Sequence, residues 1–115
     1  MTDQSVAGQA EKIRGLNDAF RKGLTSAGRR YVTAGISALP LQDQAVIMAK
    51  VAAFDAFEEG NDPYREHDFG AFDHAGQRIF WKIDYYDRAC ERGSEDPADE
   101  SVTTRVLTVM LAEEY

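Results

Sequence analysis

The stretch from Glu66 to Asp87, EHDFGAFDHAGQRIFWKIDYYD, constrains the fold of this 115-residue chain more than any other. Over residues 78–86, Ile79, Trp81, Ile83 and Tyr85 alternate with Arg78, Phe80, Lys82, Asp84 and Tyr86, which is the period of two of an extended strand. Upstream, Phe69 and Phe72 sit in a shorter run broken by Gly70, and Ala75-Gly76 supplies a residue that takes positive φ readily. Together these features predict a β-hairpin. The register that opposes Asp73 to Arg78 also sets Phe72 against Ile79, Gly70 against Trp81 and His67 against Asp84. It pairs opposite charges and leaves room over the glycine for the indole, whereas a slip would set Phe72 against Arg78.

Antiparallel pairing brings Glu66, His67 and Asp68 to the same open end of the hairpin as Asp84, Tyr85, Tyr86 and Asp87. An imidazole among carboxylates suits a hard or borderline divalent metal, and paired carboxylates can divide acid and base roles. His67, Asp68, Asp84 and Asp87 are therefore candidate metal ligands, or the working groups of a small metal-dependent hydrolase. No spacing here matches a known ligand signature. The plainer reading of the same residues is a His67–Asp84 cross-strand pair amid solvated carboxylates.

The aromatics define a second candidate site. If Ile79, Trp81, Ile83 and Tyr85 pack on helices, the other face presents Phe69, Phe80, Lys82, Asp84 and Tyr86, with Asp87 at its end. Such an aromatic and charged platform is of the kind that anchors protein partners. The competing arrangement covers Phe69 and Phe80 with a C-terminal helix, since sheets in small domains can be covered on both faces. Cys90, flanked by Arg88 and Arg92, reads as a free loop thiol rather than a nucleophile, because nothing in the spacing brings a histidine to it. His74 falls at the hairpin turn and is expected to be exposed.

Composition narrows the class. One cysteine permits no internal disulfide, so packing must hold the fold, and a reducing cytoplasmic home is expected. The first residues, MTDQSVAGQAEK, lack the pattern of a signal peptide, and no apolar run approaches membrane-spanning length. A net charge of −7 argues against unaided nucleic-acid binding, because like charges repel. The charge is uneven: residues 1–30 carry six basic side chains against three acidic ones. No phosphate loop, nucleotide fingerprint or nucleophile elbow is present, so no cofactor is expected.

Around the hairpin, residues 1–10 read as a frayed terminus and 11–115 as a single domain. Ile13, Leu16, Phe20 and Leu24 recur at helical spacing from Glu11 to about Ser26, with Arg14, Asp18 and Lys22 as a charge ladder and Gly28 as the stop. Arg30 to Ile36 reads as a short strand. Pro40 suits the first turn of a second helix running to about Glu58, with Val46, Ile47, Val51, Phe54 and Phe57 on its buried face. Val102 to Tyr115 is ambiguous; its valines favour a strand, but Val102, Val106, Val109 and Met110 fall at helical spacing behind an Asp96-Pro97 start, and the segment is expected to be helical. Glu113, Glu114 and Tyr115 would then crowd negative charge at the wrong end of a helix dipole, so cations, Arg29 or Arg30, or a partner are expected beside them. The fold class is thus α+β, in the order α-β-α-β-β-α, with a three-stranded, mainly antiparallel sheet packed against helices.

Several blocks carry a family resemblance: Asn61-Asp62-Pro63, Glu66-His67-Asp68-Phe69-Gly70, Phe80-Trp81-Lys82-Ile83-Asp84-Tyr85-Tyr86-Asp87, Asp96-Pro97-Ala98-Asp99 and Arg105 through Tyr115. From about residue 11 to the end, the chain resembles a bacterial family designated domain of unknown function thirty-seven sixty-eight. Members resemble accessory proteins of plasmids and other mobile elements. No activity comes with the resemblance, and no catalytic residue is carried over. The expectation is a non-enzymatic, acidic interaction protein that binds a protein through the platform. Its sharper form is an inhibitor of a host nucleic-acid-directed defence protein, with carboxylates in place of phosphates. A small hydrolase built on His67, Asp68, Asp84 and Asp87 is the alternative, and a homodimer joined at an open strand edge is a further one.

Overall fold

The computed structural model describes residues 6–115. Its elements are helix α1 (Val6–Arg21), strand β1 (Arg29–Val32), the short helix α2 (Ala34–Ser37), helix α3 (Leu41–Ala53), and strands β2 (Phe69–His74), β3 (Gln77–Tyr86) and β4 (Thr104–Leu111). Two 3-10 turns, Glu100–Val102 and Ala112–Glu114, flank β4. The hairpin β2–β3 has the expected register, with Asp73 opposite Arg78, Phe72 opposite Ile79 and Gly70 opposite Trp81. Ala75 and Gly76 close it with φ of 52° and 79°. Positive φ at both central residues suits a two-residue hairpin turn to the twist of its strands.

The sheet has four strands, in the order β1-β4-β3-β2, rather than three. The fourth is the segment expected to be the last helix. β4 lies between β3, which it pairs antiparallel, and β1, which it pairs in parallel. Its residues are buried on both faces, Leu107, Val109 and Leu111 on the helix side and Val106 and Met110 on the other. Burial on both sides erases the alternation that marks a half-buried strand, and a near-continuous apolar run imitates a helical stripe. Asp96 accordingly caps a turn at Ala98 and starts no helix. With no helix dipole at the C-terminal end, the acids need no cation. Glu114 accepts hydrogen bonds from Thr33 Oγ1, Gly35 N and Leu111 N, and among the described residues no cation pairs with Glu113 or Glu114.

Helix boundaries shift for reasons set by contacts. Residues 1–5 of the expected frayed terminus lie outside the described residues, but 6–10 belong to α1. That helix stops at Arg21 because Gly23, at φ 78°, forms a C-terminal cap in which Leu24 N reaches Ala19 O and Gly23 N reaches Phe20 O. Leu24 is therefore exposed, and Gly28 comes too late to end the helix. The Arg14–Asp18–Lys22 ladder does not form, since Asp18 is taken by Arg21 and His67. Only Arg29–Val32 of the 30–36 stretch is strand; Ala34–Ser37 coils into α2. Helix α3 ends at Ala53, leaving Phe54 and Phe57 on the following loop, and Val46 points to solvent.

One core results. Phe20 of α1, Ile36 of α2 and Ile47 and Val51 of α3 join Ile79, Trp81, Ile83, Leu107, Val109 and Leu111. All six strand residues lie on one face, as their register requires. The helices thus cover a single face of the sheet. Among the described residues no helix is long and apolar enough to cross a membrane.

Candidate functional site

Two sites grow out of the hairpin, one on each side of the sheet. On the helix-free face, β3 presents Phe80, Lys82, Asp84 and Tyr86, and register sets them beside Met110, Thr108, Val106 and Thr104 of β4. Phe69 of β2 lies opposite Lys82, and Arg29 and Tyr31 of β1 extend the same face beyond β4. Lys82 Nζ and Asp84 Oδ2 are 2.9 Å apart in the middle of this surface. Tyr115 packs on Phe80 and Phe69, at ring-centroid distances of 5.7 and 6.3 Å. A single aromatic side chain, and not a helix, partly covers those two rings. Tyr31 remains 51 % exposed and Tyr86 36 % exposed, so the platform offers aromatic surface at both sides of a neutralised ion pair. Arg29 and Tyr31 were not among the candidates, because four residues of β1 are too few to show a face.

The second site is where His67 goes. The expected His67–Asp84 pair is absent from the contacts of either residue: Asp84 pairs with Lys82, and His67 turns to the helical side. The ladder continues only to Asp68, whose carbonyl accepts from Ile83 N, and His67 takes φ 56°. A left-handed residue breaks the alternation of a strand, so the imidazole swings off the face that register alone would assign it. There its Nδ1 lies 2.9 Å from Asp18 Oδ1 and its Nε2 3.6 Å from Asp62 Oδ2. The ring stacks on Phe57 at 3.6 Å, nearly parallel. Asp62 is buried and also accepts the His67 backbone N–H. Neither carboxylate could be assigned to His67 from spacing, because α1 and the 54–68 loop meet only in the folded chain.

His67, Asp68, Asp84 and Asp87 are not gathered into one ligand set. Asp87 accepts from Glu91 N in the following loop, and among the described residues no group of three or more His, Cys, Asp or Glu is arranged to hold a metal. Cys90 lies on that loop at φ 58° as a free thiol. His74 is not exposed as expected; its Nε2 meets Asp43 Oδ1 at 2.9 Å and its Nδ1 faces Lys50 Nζ at 3.3 Å, tying the hairpin turn to α3.

Family comparison places residues 32–114 in a family described as protein of unknown function (DUF3768). The chain belongs to that family. No curated protein and no solved structure matches it. The span matched to DUF3768 takes in α2, α3, the hairpin and β4 but leaves α1 outside, so Asp18 and Asn17 come to the site from beyond it.

Beside His67 in the DUF3768 chain lies a buried polar network. Asn17 donates to Glu66 O and to Tyr85 Oη and accepts from Arg105 Nε, while Tyr85 donates to Glu66 Oε1. Burial pushes the Tyr85 phenol up, against the opposing Asn17 hydrogen bond, and burial pulls the Arg105 guanidinium down. Asp68, half-buried behind the network, is pushed up to about 6, first by burial and then by the charge of Glu66. Because its folded value exceeds the unfolded one of 3.8, the folded chain binds the extra proton between those limits. Its contribution to stability therefore falls as pH rises from about 4 to 6 and stays lost above. Asp68→Asn is expected to raise the unfolding free energy at pH 7 by about 1 kcal/mol, after allowance for screening at a partly exposed group, and to do nothing at pH 4. Urea denaturation of both proteins at the two pH values checks this; an equal difference at each would show that the carboxyl is not the titrating group.

Proposed function

We propose that this DUF3768 chain is a non-enzymatic protein-binding module whose partner docks on the helix-free face of the sheet. The observation that supports it is the segregation of all three helices to the opposite face, which leaves Phe80, Lys82, Asp84, Tyr86 and Tyr31 together on the other. Aromatic side chains around a centre with few net charges are what a docking surface uses, since they bury much area at low entropic cost. The occupant is a separate protein rather than a second copy, because two chains of net charge −7 repel. As an accessory protein of a mobile element it would meet a protein of its host. In the narrower form, an inhibitor of a nucleic-acid-directed defence protein, the phosphate-like charge would have to come from carboxylates other than Asp84, which Lys82 offsets. A hydrolase reading would now have to run on His67 with Asp18 and Asp62, without Asp84 or Asp87.

The test compares wild type with a Lys82→Glu, Tyr86→Ala variant and with Leu41→Ala, which alters an exposed apolar residue on α3. Proteins captured from host lysate by wild type and Leu41→Ala should be retained roughly tenfold less by the platform variant. Equal capture by all three would overturn the proposal. A sedimentation shift to half the mass in the platform variant alone would instead make the face a homodimer contact.

A further inference from the structure

The connection between α3 and β2, residues 54–68, is a long run without helix or strand in a small domain. Loops of that length are uncommon unless they have work to do. This one is held at both ends. Arg21 Nη1 donates to Val51 O, Ala52 O and Phe54 O at its start, and at its end Asn17 donates to Glu66 O, Arg14 to Arg65 O, and Asp18 meets His67. Arg65 and His67 both sit in the left-handed region, at φ 60° and 56°. Side-chain-bearing residues hold that conformation where their surroundings over-determine it.

Between the loop and Arg14 of α1 lies an open cleft of about 560 Å³, within the size range of small-ligand sites. The imidazole of His67, stacked on Phe57, forms part of its wall. The inner charges are already satisfied: Asp62 accepts from the His67 backbone and faces its ring. The outer charges are not. Glu58 and Glu59 are exposed and, among the described residues, enter no ion pair; the Arg65 side chain likewise has none. Arg14 reaches a backbone carbonyl and, at 3.9 Å, the exposed Glu11. One cleft therefore carries two free carboxylates and two under-used guanidiniums. A phosphate-bearing ligand would meet the carboxylates, and a diamine would meet the arginines. Only a ligand with both signs uses all four. A single amino acid would leave most of the space to water.

We infer that this cleft binds a short zwitterionic peptide, its ammonium held by Glu58 and Glu59 and its carboxylate by Arg14 and Arg65. Charge-assisted hydrogen bonds from guanidinium to carboxylate are the strong ones available at such a site. The inference is independent of the sheet platform on the other side of the molecule.

Nitrogen–proton correlation spectra of the full chain, titrated with alanyl-alanine, test it. Saturable shifts are expected at the amides of residues 57–67. N-acetyl-alanyl-alanine, which lacks the ammonium, and alanyl-alanine amide, which lacks the carboxylate, should each bind about tenfold more weakly. Arg65→Gln should narrow the gap between alanyl-alanine and its amide while keeping the acetylation penalty, and Glu58→Gln with Glu59→Gln should do the reverse. All three side chains are exposed, so spectra outside the loop will report an intact fold. No saturable shift at millimolar peptide, shifts that map elsewhere, or equal binding of the three peptides would each overturn the inference.

Discussion

Arg21→Ala is expected to lower the unfolding free energy by about 3–5 kcal/mol, the cost of leaving buried polar groups without their charged partner. Arg21 is 4 % exposed and its guanidinium joins three parts of the chain. Nη1 supplies the last carbonyls of α3, at 2.9–3.1 Å from Val51 O, Ala52 O and Phe54 O, while Nη2 pairs with Asp18 at 3.0 Å. Helix C-termini leave carbonyls without intrahelical donors, and a cation there also suits the helix dipole. The same group lies over Phe57 and Trp81, at 5.5 and 5.2 Å from their rings. Its removal leaves Ala52 O and Phe54 O without this donor, Val51 O keeping the Phe54 N–H, and frees Asp18, the carboxylate that orients His67. Arg21→Lys should recover only part of the loss, because an ammonium cannot span the same fork. Chemical denaturation gives the magnitude, and hydrogen exchange at residues 52–57 should accelerate first. If Arg21→Ala costs less than about 1 kcal/mol, the guanidinium is not the joint between α1 and α3.

Gly70→Ala is expected to destabilise by about 3 kcal/mol, the upper part of the range for overpacking a core. A β-carbon at position 70 would stand 2.3 Å from Trp81 Nε1 and 2.6 Å from Cε2. The indole is fully buried and wedged by Phe54 and Phe57, so it has nowhere to retreat. Gly70→Ala combined with Trp81→Leu should cost less than the sum of the two single changes, because the smaller side chain clears the collision. Strict additivity in denaturant melts would mean that the indole does not rest on the glycine.

How much of this was legible beforehand follows from where the information lies. Register, turn and the Gly70–Trp81 fit are local: alternation over β3, a small residue opposite a large one and a turn pair are all within one stretch of chain. That Phe80, Lys82, Asp84 and Tyr86 share one face of β3 was legible for the same reason. β4 was not, because its ladder partners on both sides come from distant parts of the chain and its residues are buried on both faces. The end of α3 was not, because it depends on Arg21, thirty residues upstream of Val51. His67 misled for a sharper reason. Period two assigns it to the Asp84 face, and a single left-handed φ, stabilised by Asp18 and Asp62, undoes that assignment.

By itself, then, the order of residues determined a twisted ribbon with one apolar and one mixed face, because side-chain alternation and turn preference are properties of neighbours along the chain. Which segment filled the centre of the sheet, and which carboxylates met the imidazole, only the tertiary structure decided. Those choices rest on burial and charge pairing between residues far apart in sequence, whose energies exist only once the chain has closed on itself.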